Sequence, residues 1–580
     1  VHRWLRAVHS KPPFSLCRNG DLGSPPSRAF ATHRTRVCTS PDGRPAMTDI
    51  DKLASDILDV GDRFLRTDDY DARMDRFAEE IDGLDASARN QLFDEILEQD
   101  GGALMSWLTV DRLNGMVADG RISEQERGAI FDAFGDAYVD GDISFQDAMQ
   151  FTNIFGSQAV GPMGLSPDAG AIDALVGTLT GSNSPYSSQF IEKFASELLT
   201  ERVLADPPAL LPGEQGPYAG ILLNALDQAG GSSAVNAVLG SLSNDQQTAL
   251  RDLLSADGRS FENPGLESAN VRDPMAIYIE TVSRHGSGAE AVDLVRYVSE
   301  NSSGNIIENQ YYDHDNKPLD ARAEALGELF TTHGDAILTD LTVANPTQTS
   351  GSTNDRQTVI GDNLAALSNL VRITGLNPDN SHAGQVMDLL GAFTSENIRL
   401  GNMAENSDVN GDGVIDGADI EAIDAGNGRT GMIGAVMQDA VSSGYVDLRA
   451  DIAARDAFMG FILDTAISAI PVGGSLAGDA IADHLKGALG GLSEGVRDQI
   501  AESLSAIPKD LLTNAQGQLT DQAKAAIIDA LPEDYQYLEG IKNESNTFIL
   551  DTILGASHRD YQISESMGEY GTYIDGSRGS

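Results

Sequence analysis

The apolar residues of this chain recur three and four positions apart, and that step restricts most of it to helices. Ile57, Val60 and Phe64 share one face, Phe77, Ile81 and Leu84 a second, and Phe93, Ile96 and Leu97 a third. Leu104, Trp107 and Leu108 read as a further buried anchor set. Phe190, Phe194 and Leu198 keep the same spacing, as do Leu326, Leu329 and Phe330, and Ile360, Leu364, Leu367 and Val371. Strict apolar–polar alternation is nowhere long enough to require a large sheet. The expected fold class is mainly α and multi-helical.

Helix punctuation supports this. Asp273 before Pro274 predicts a helix start, because a carboxylate caps free amides and proline is tolerated at the first helical position. Asp320 is expected to cap another helix. The length of 580 residues suits two to four domains. Composition shifts divide the chain into 1–46 (a basic leader), 47–153 (helical), 154–185 (a linker rich in glycine, serine and proline), 186–400 (helical), 401–450 (built round an acidic loop), 451–563 (helical, with an apolar hairpin) and 564–580 (a frayed tail).

Charge narrows the partners. The chain carries 88 acids against 39 Lys and Arg, a net −49. That field repels nucleic-acid phosphates and anionic lipid, and suits cations, basic partners or solubility. Residues 1–46 run the other way: eight Lys or Arg against Asp21 and Asp42 give +6, which leaves −55 for the rest. Two readings of this leader stay open. It is a basic arm that binds something, or the start codon lies too far upstream and Met47 is the true start. Both cysteines, Cys17 and Cys38, lie in it. With Met47 as the start, no disulfide or thiol chemistry is available. Lys11, Pro12 and Pro13 interrupt the leader's apolar residues, so it makes a poor secretory signal.

The sharpest motif reads Asp408-Val409-Asn410-Gly411-Asp412-Gly413-Val414-Ile415-Asp416-Gly417-Ala418-Asp419. Side-chain oxygens fall at the first, third, fifth, ninth and twelfth positions of a tight coil. The Val414 carbonyl supplies a seventh-position donor, and Gly413 sits where a sharp turn is needed. A hard cation such as Ca2+ takes six to eight oxygen ligands, so Asp408, Asn410, Asp412, Val414, Asp416 and Asp419 form a candidate metal set. Ile415 is expected to turn inward to the core. This loop resembles the calcium loops of EF-hand proteins, and more closely those of dockerin modules, over about 12 to 25 residues. The resemblance implies Ca2+ as the cofactor and a helix-loop-helix element at this point. Asp419 departs from the glutamate that EF-hands carry there; its shorter arm reaches an ion bidentately less easily. A dockerin's adjacent second copy is also missing.

Two related phrases lie earlier. Asp136, Tyr138, Asp140, Asp142, Ser144 and Asp147 fall in the same frame, with Gly141 sixth and Ile143 eighth. Asp136, Asp140, Asp142, Ser144 and Asp147 therefore make a weaker candidate calcium site. Asp119, Ser123 and Glu126 form a more degenerate copy, and the segments around Ile122 and Ile143 are expected to pair as short strands. Asp313, His314, Asp315 and Asp320 read as a solvated loop with a helix cap.

Familiar catalytic signatures are absent from the sequence: there is no Gly-x-Ser-x-Gly elbow, no phosphate loop ending in Gly-Lys-Ser or Gly-Lys-Thr, and no His-Glu-x-x-His. His333, beside Gly334, reads as the C-terminal histidine of a helix. The most apolar stretch, 457–492, reads as a buried hairpin, too short and too charged for an ordinary spanning helix.

Large non-catalytic regions of bacterial secreted effectors and polymorphic toxins are similar to this whole pattern in a loose way. That resemblance implies export by a specialised system, without a cleaved N-terminal signal, and stabilisation by calcium outside the cell; a cytoplasmic location is the alternative. The leading expectation is a calcium-binding structural or interaction protein, more a binding protein than an enzyme, with a protein partner or secretion machinery and no nucleic acid. Its rivals are a hydrolase using paired carboxylates and a pore or translocation component that inserts the 457–492 hairpin. Membrane contact is not expected in the resting state.

Overall fold

The computed structural model describes residues 50–59, 67–81, 84–100, 110–152, 179, 184–205, 215–256, 272–300, 320–343, 353–377, 379–404, 406–442, 452–467, 481–483, 485, 493–508, 511–512, 519–531 and 560–578. The leader 1–46, the Trp107 anchor set, most of the linker, the Asp313 cluster up to Asp315 and the turn of the apolar hairpin lie outside them. The described residues are mainly α, as the spacing predicts: they hold twenty helical elements and no strands.

The N-terminal helices are α1 (Ile50–Leu58), α2 (Thr67–Ile81), α3 (Ala86–Asp100), α4 (Val110–Ala118), α5 (Glu124–Asp140) and α6 (Phe145–Thr152). They close on α7 (Ser188–Leu198), which runs into a π-helical turn over Leu199–Val203. Aromatics are only 6% of the chain, yet many of them meet here. Phe134 stacks on Phe151 at 3.6 Å, Phe77 meets Phe93 edge-on at 5.2 Å, and Tyr186, Phe190 and Phe194 stack in series. Large flat side chains bury much area per residue, so this cluster anchors the region.

The middle of the chain supplies α8 (Gln215–Ser241), α9 (Asn244–Ala256), α10 (Pro274–His285), α11 (Gly288–Glu300), α12 (Asp320–Leu341) and α13 (Thr353–Thr374). α8 is kinked at Gly231, which has φ +66°. Asp273 caps α10 as predicted: its Oδ1 accepts from the Met275 and Ala276 amides at 2.8 and 3.2 Å. The other oxygen of Asp273 meets Nε of Arg322, a fully buried arginine of α12, at 2.7 Å. His333 ends a helical stretch, as its neighbour Gly334 suggests. It stands where two helical stretches meet inside α12, at a kink (φ −118°, ψ 16°) just before Gly334, and its Nε2 is 3.0 Å from the Ser283 carbonyl of α10.

The C-terminal helices are α14 (Ala383–Gly401), α15 (Gly417–Ser442), α16 (Ile452–Ile467), α17 (Glu494–Ser505), α18 (Asp521–Ala530) and α19 (Asp560–Arg578). α14 packs on both α15 and α16, and α19 packs on α13 and α15. The frayed tail expected after Ser564 is instead part of this last helix. Met567 and Ile574, two turns apart and so on one face, are both buried, and the Tyr573 hydroxyl receives a hydrogen bond from Gln357 Nε2 at 3.2 Å.

The described first half of the apolar hairpin is α16. Phe458, Met459, Phe461, Ile462 and Leu463 are all fully buried, as the hairpin reading expects. No described helix is long and apolar enough to cross a membrane. Asp464 is buried with them, against α14 and α18. Its Oδ2 lies 2.8 Å from Lys524 Nζ, which also reaches Asp388 Oδ1 at 2.9 Å. Gly391 of α14 makes the room, since a Cβ there would stand 2.7 Å from Asp464 Oδ2. Burial alone would lower the Lys524 pKa, but the two carboxylates outweigh it and raise it.

Candidate metal centre

The acidic motif is the connection between α14 and α15, so it stands in a helix-loop-helix setting. Each acid engages backbone amides nearby. Asp408 accepts from the Gly411 amide at 2.7 Å through Oδ1 and from the Gly413 amide at 2.9 Å through Oδ2. Asn410 Oδ1 accepts from Asp412, Asp412 Oδ1 from Val414, and Asp416 Oδ1 from Ala418, at 2.7 to 2.9 Å. These turns wind the chain tightly. The winding requires Gly411 and Gly413 in the left-handed region, at φ +74° and +82°, where a Cβ would be strained.

Asp419 closes the loop. It lies in the first turn of α15, and its Oδ1 accepts from the Val409 and Asn410 amides at 2.8 and 3.2 Å. Its Oδ2 accepts from the Asp416 amide at 2.9 Å. The loop's last acid is thereby held against the backbone of its second and third positions. Asp419 is buried, and the hydrogen bond from Asp416, followed by those from Val409 and Asn410, holds its carboxyl below the usual carboxylate range.

The donor set suits a hard cation, because every candidate ligand atom is oxygen. A carboxylate offers about four acceptor sites, so Asp408, with two amides, and Asp412 and Asp416, with one each, retain capacity for an ion. Even so, the carboxylates face amides more than one another. Among the described residues, no three His, Cys, Asp or Glu side chains form a ready-made cage. Metal binding at this loop would require Asp408 and Asp412 to turn toward a shared centre.

Ile415 does not pack inward as expected. Its side chain is 54% exposed, with Val414 at 57% and Ile420 at 46%. Val414 and Ile415 stand in the tightly wound loop, and Ile420 in the first turn of α15. Beyond the loop, α14 and α15 nearly touch: a Cβ on Gly426 would lie 2.9 Å from the Asn397 carbonyl and 3.1 Å from the Gly401 amide.

The earlier phrase at 136–147 is built differently. Asp136, Tyr138 and Asp140 lie within α5. On a helix Asp136 and Asp140 share a face while Tyr138 turns away from it. Tyr138 is buried, and its hydroxyl donates to Glu197 Oε2 at 2.6 Å. Burial, then the charges of Asp132 and Asp140, raise the Asp136 pKa. Asp142 is in the turn, its amide bonded to the Ala137 carbonyl at 2.9 Å. Ser144 and Asp147 start the next helix: the Asp147 amide donates to Ser144 Oγ at 3.3 Å, and the Ser144 hydroxyl donates to Asp147 Oδ2 at 2.5 Å.

The copy at 118–126 repeats this design. Gly120 and Gly141 both adopt positive φ, and the residue after each, Arg121 and Asp142, donates its amide to the carbonyl five residues back at 2.9 Å. That is the Schellman stop. Ile122 and Ile143 are the buried plugs, and Ser123 with Glu126 makes a capping box. The two isoleucines bond back to the preceding helices, at Met116 and Ala137, and form no strand pair. Asp-Gly-x-Ile-Ser in this chain thus spells the end of one helix and the start of the next.

Comparison with known proteins finds no matching family model, no matching curated protein and no matching solved structure.

Proposed function

We propose that the protein is a calcium-binding, non-catalytic helical protein that works by structural support or protein interaction, with one Ca2+ held by the 408–419 loop. The observation that carries this is the closure by Asp419, which places the loop's last acid against Val409 and Asn410 at its start. Asp408, Asn410, Asp412, Asp416 and Asp419 would hold the ion, with the Val414 carbonyl. The ion would supply positive charge to a segment rich in acids and tie α14 to α15. Free calcium is scarce in cytoplasm, so this role belongs with export, as for a secreted effector.

Calorimetric titration of the full chain with CaCl2 and with MgCl2 tests the proposal. The expected result is one saturable calcium site, weaker magnesium binding, and loss of the calcium heat in the Asp408→Ala/Asp412→Ala double variant. Absence of a saturable calcium heat overturns it. A heat unchanged in the double variant moves the site away from this loop.

A further inference from the structure

Among the described residues, exposed large apolar side chains are concentrated on one segment. Of the five among the described residues (Met403, Val414, Ile415, Ile420 and Leu511), four lie between positions 403 and 420. The Asp416–Asp419 hydrogen bond holds Ile415 and Ile420 on either side of one short turn. Isolated exposed apolar residues are ordinary, but a group on one turn marks a contact surface. The surroundings fix the sign of its partner. Between Arg399 and Arg429 there is no Lys or Arg, and the acids are Glu405, Asp408, Asp412, Asp416, Asp419, Glu421 and Asp424. A partner that covers this surface must be cationic and must also carry apolar side chains.

We propose that the occupant is this chain's own segment 1–46. It has the required chemistry: a charge of +6 (eight Lys or Arg less two Asp), with Trp4, Leu5, Phe14, Leu16 and Phe30 among the basic residues. Apolar side chains against Val414, Ile415 and Ile420 would remove surface from water on both sides. Arginines beside the exposed acids Asp412, Asp416, Glu421 and Asp424 would supply selectivity and a dependence on salt. Reach does not limit the contact. An extended run of this length spans about 150 Å at roughly 3.3 Å per residue, against a radius of gyration of about 25 Å for a compact chain of this size. The docking needs no ion; it shares the loop's acids with the calcium proposal, so its crosslink is read in chelator, where only the docking is tested.

The test uses the full chain with a photo-crosslinking phenylalanine analogue at position 415, which tolerates replacement because its side chain is exposed. Equal amounts of isotopically light and heavy chains are mixed before irradiation, and crosslinked peptides are identified by mass. The expected result is a crosslink to residues 1–46 within the same chain. Its yield should fall tenfold or more in 0.5 M salt, or when Arg3, Arg6, Lys11 and Arg18 are changed to Glu. Crosslinks between light and heavy chains, crosslinks only to other segments, no crosslinks, or a native protein whose intact mass begins at Met47 would each overturn the proposal.

Discussion

A carboxylate surrounded by three backbone amides holds its charge to lower pH than one in water, and Asp419 is so placed. Its folded pKa lies below the unfolded value, so the charged form favours the closed loop. That contribution is present above the unfolded value of about 3.9 and is lost as pH falls through the depressed folded value. In an NMR titration, the Val409, Asn410 and Asp416 amides should therefore hold their shifts from pH 7 down to about 4, near the free carboxylate value, and move only below it. Asp419→Asn replaces one acceptor oxygen with a donor nitrogen. Hydrogen exchange at these amides should speed up in that variant, with helicity by circular dichroism unchanged. At this scale the sequence was informative about which residues are polar donors, because spacing alone sets that. It misplaced Ile415, because inward direction follows from a helical or strand period and a tightly wound loop has neither.

Helices were the most legible elements, since a 3.6-residue period repeats in Phe190, Phe194 and Leu198 and again in Ile360, Leu364 and Leu367. The connectors were harder. Asp-Gly-x-Ile-Ser uses acids, glycine and serine, which also build cation loops, and only the positions of the backbone amides separate the two uses. Ser123→Ala should cost about 1 kcal/mol in a denaturant melt through loss of the cap. The Lys524 contact was not legible, because nothing local links Asp388, Asp464 and Lys524 across three helices. Lys524→Met leaves Asp464 buried without its lysine and should destabilise on the order of 3 kcal/mol. Pairing it with Asp464→Leu should recover most of the loss, since an apolar pair then replaces a buried ionic one. A double variant no more stable than Lys524→Met alone would show that Asp464 has another role. The pair of partly exposed Asp273 and buried Arg322 offers an independent comparison: Asp273→Ala should lower stability on the order of 3 kcal/mol, from the lost cap and the lost partner of a buried arginine together.

For the whole molecule, −49 units of charge oppose compaction, and the long buried core works against that repulsion. A cation bound only by the folded form would stabilise it by mass action, about 2.7 kcal/mol at a hundredfold excess over Kd. Thermal unfolding should therefore move upward with CaCl2 and return with chelator, with a smaller shift in MgCl2. Identical melting curves in calcium and chelator would count against the calcium proposal. The helical class followed from spacing. The closeness of particular helices did not, because contacts between α13, α15 and α19 join residues far apart in sequence.

The near-contact of α14 and α15 at Gly401 and Gly426 makes that point a fulcrum. From it to Asp419 is about 10 Å of helix, and to Ser442 about 24 Å, at 1.5 Å per residue. If α15 pivots as a rigid rod, a displacement of 1 Å at the loop swings the distant end by more than 2 Å. Whatever pulls on this loop is felt, enlarged, where α15 leans on its far neighbours.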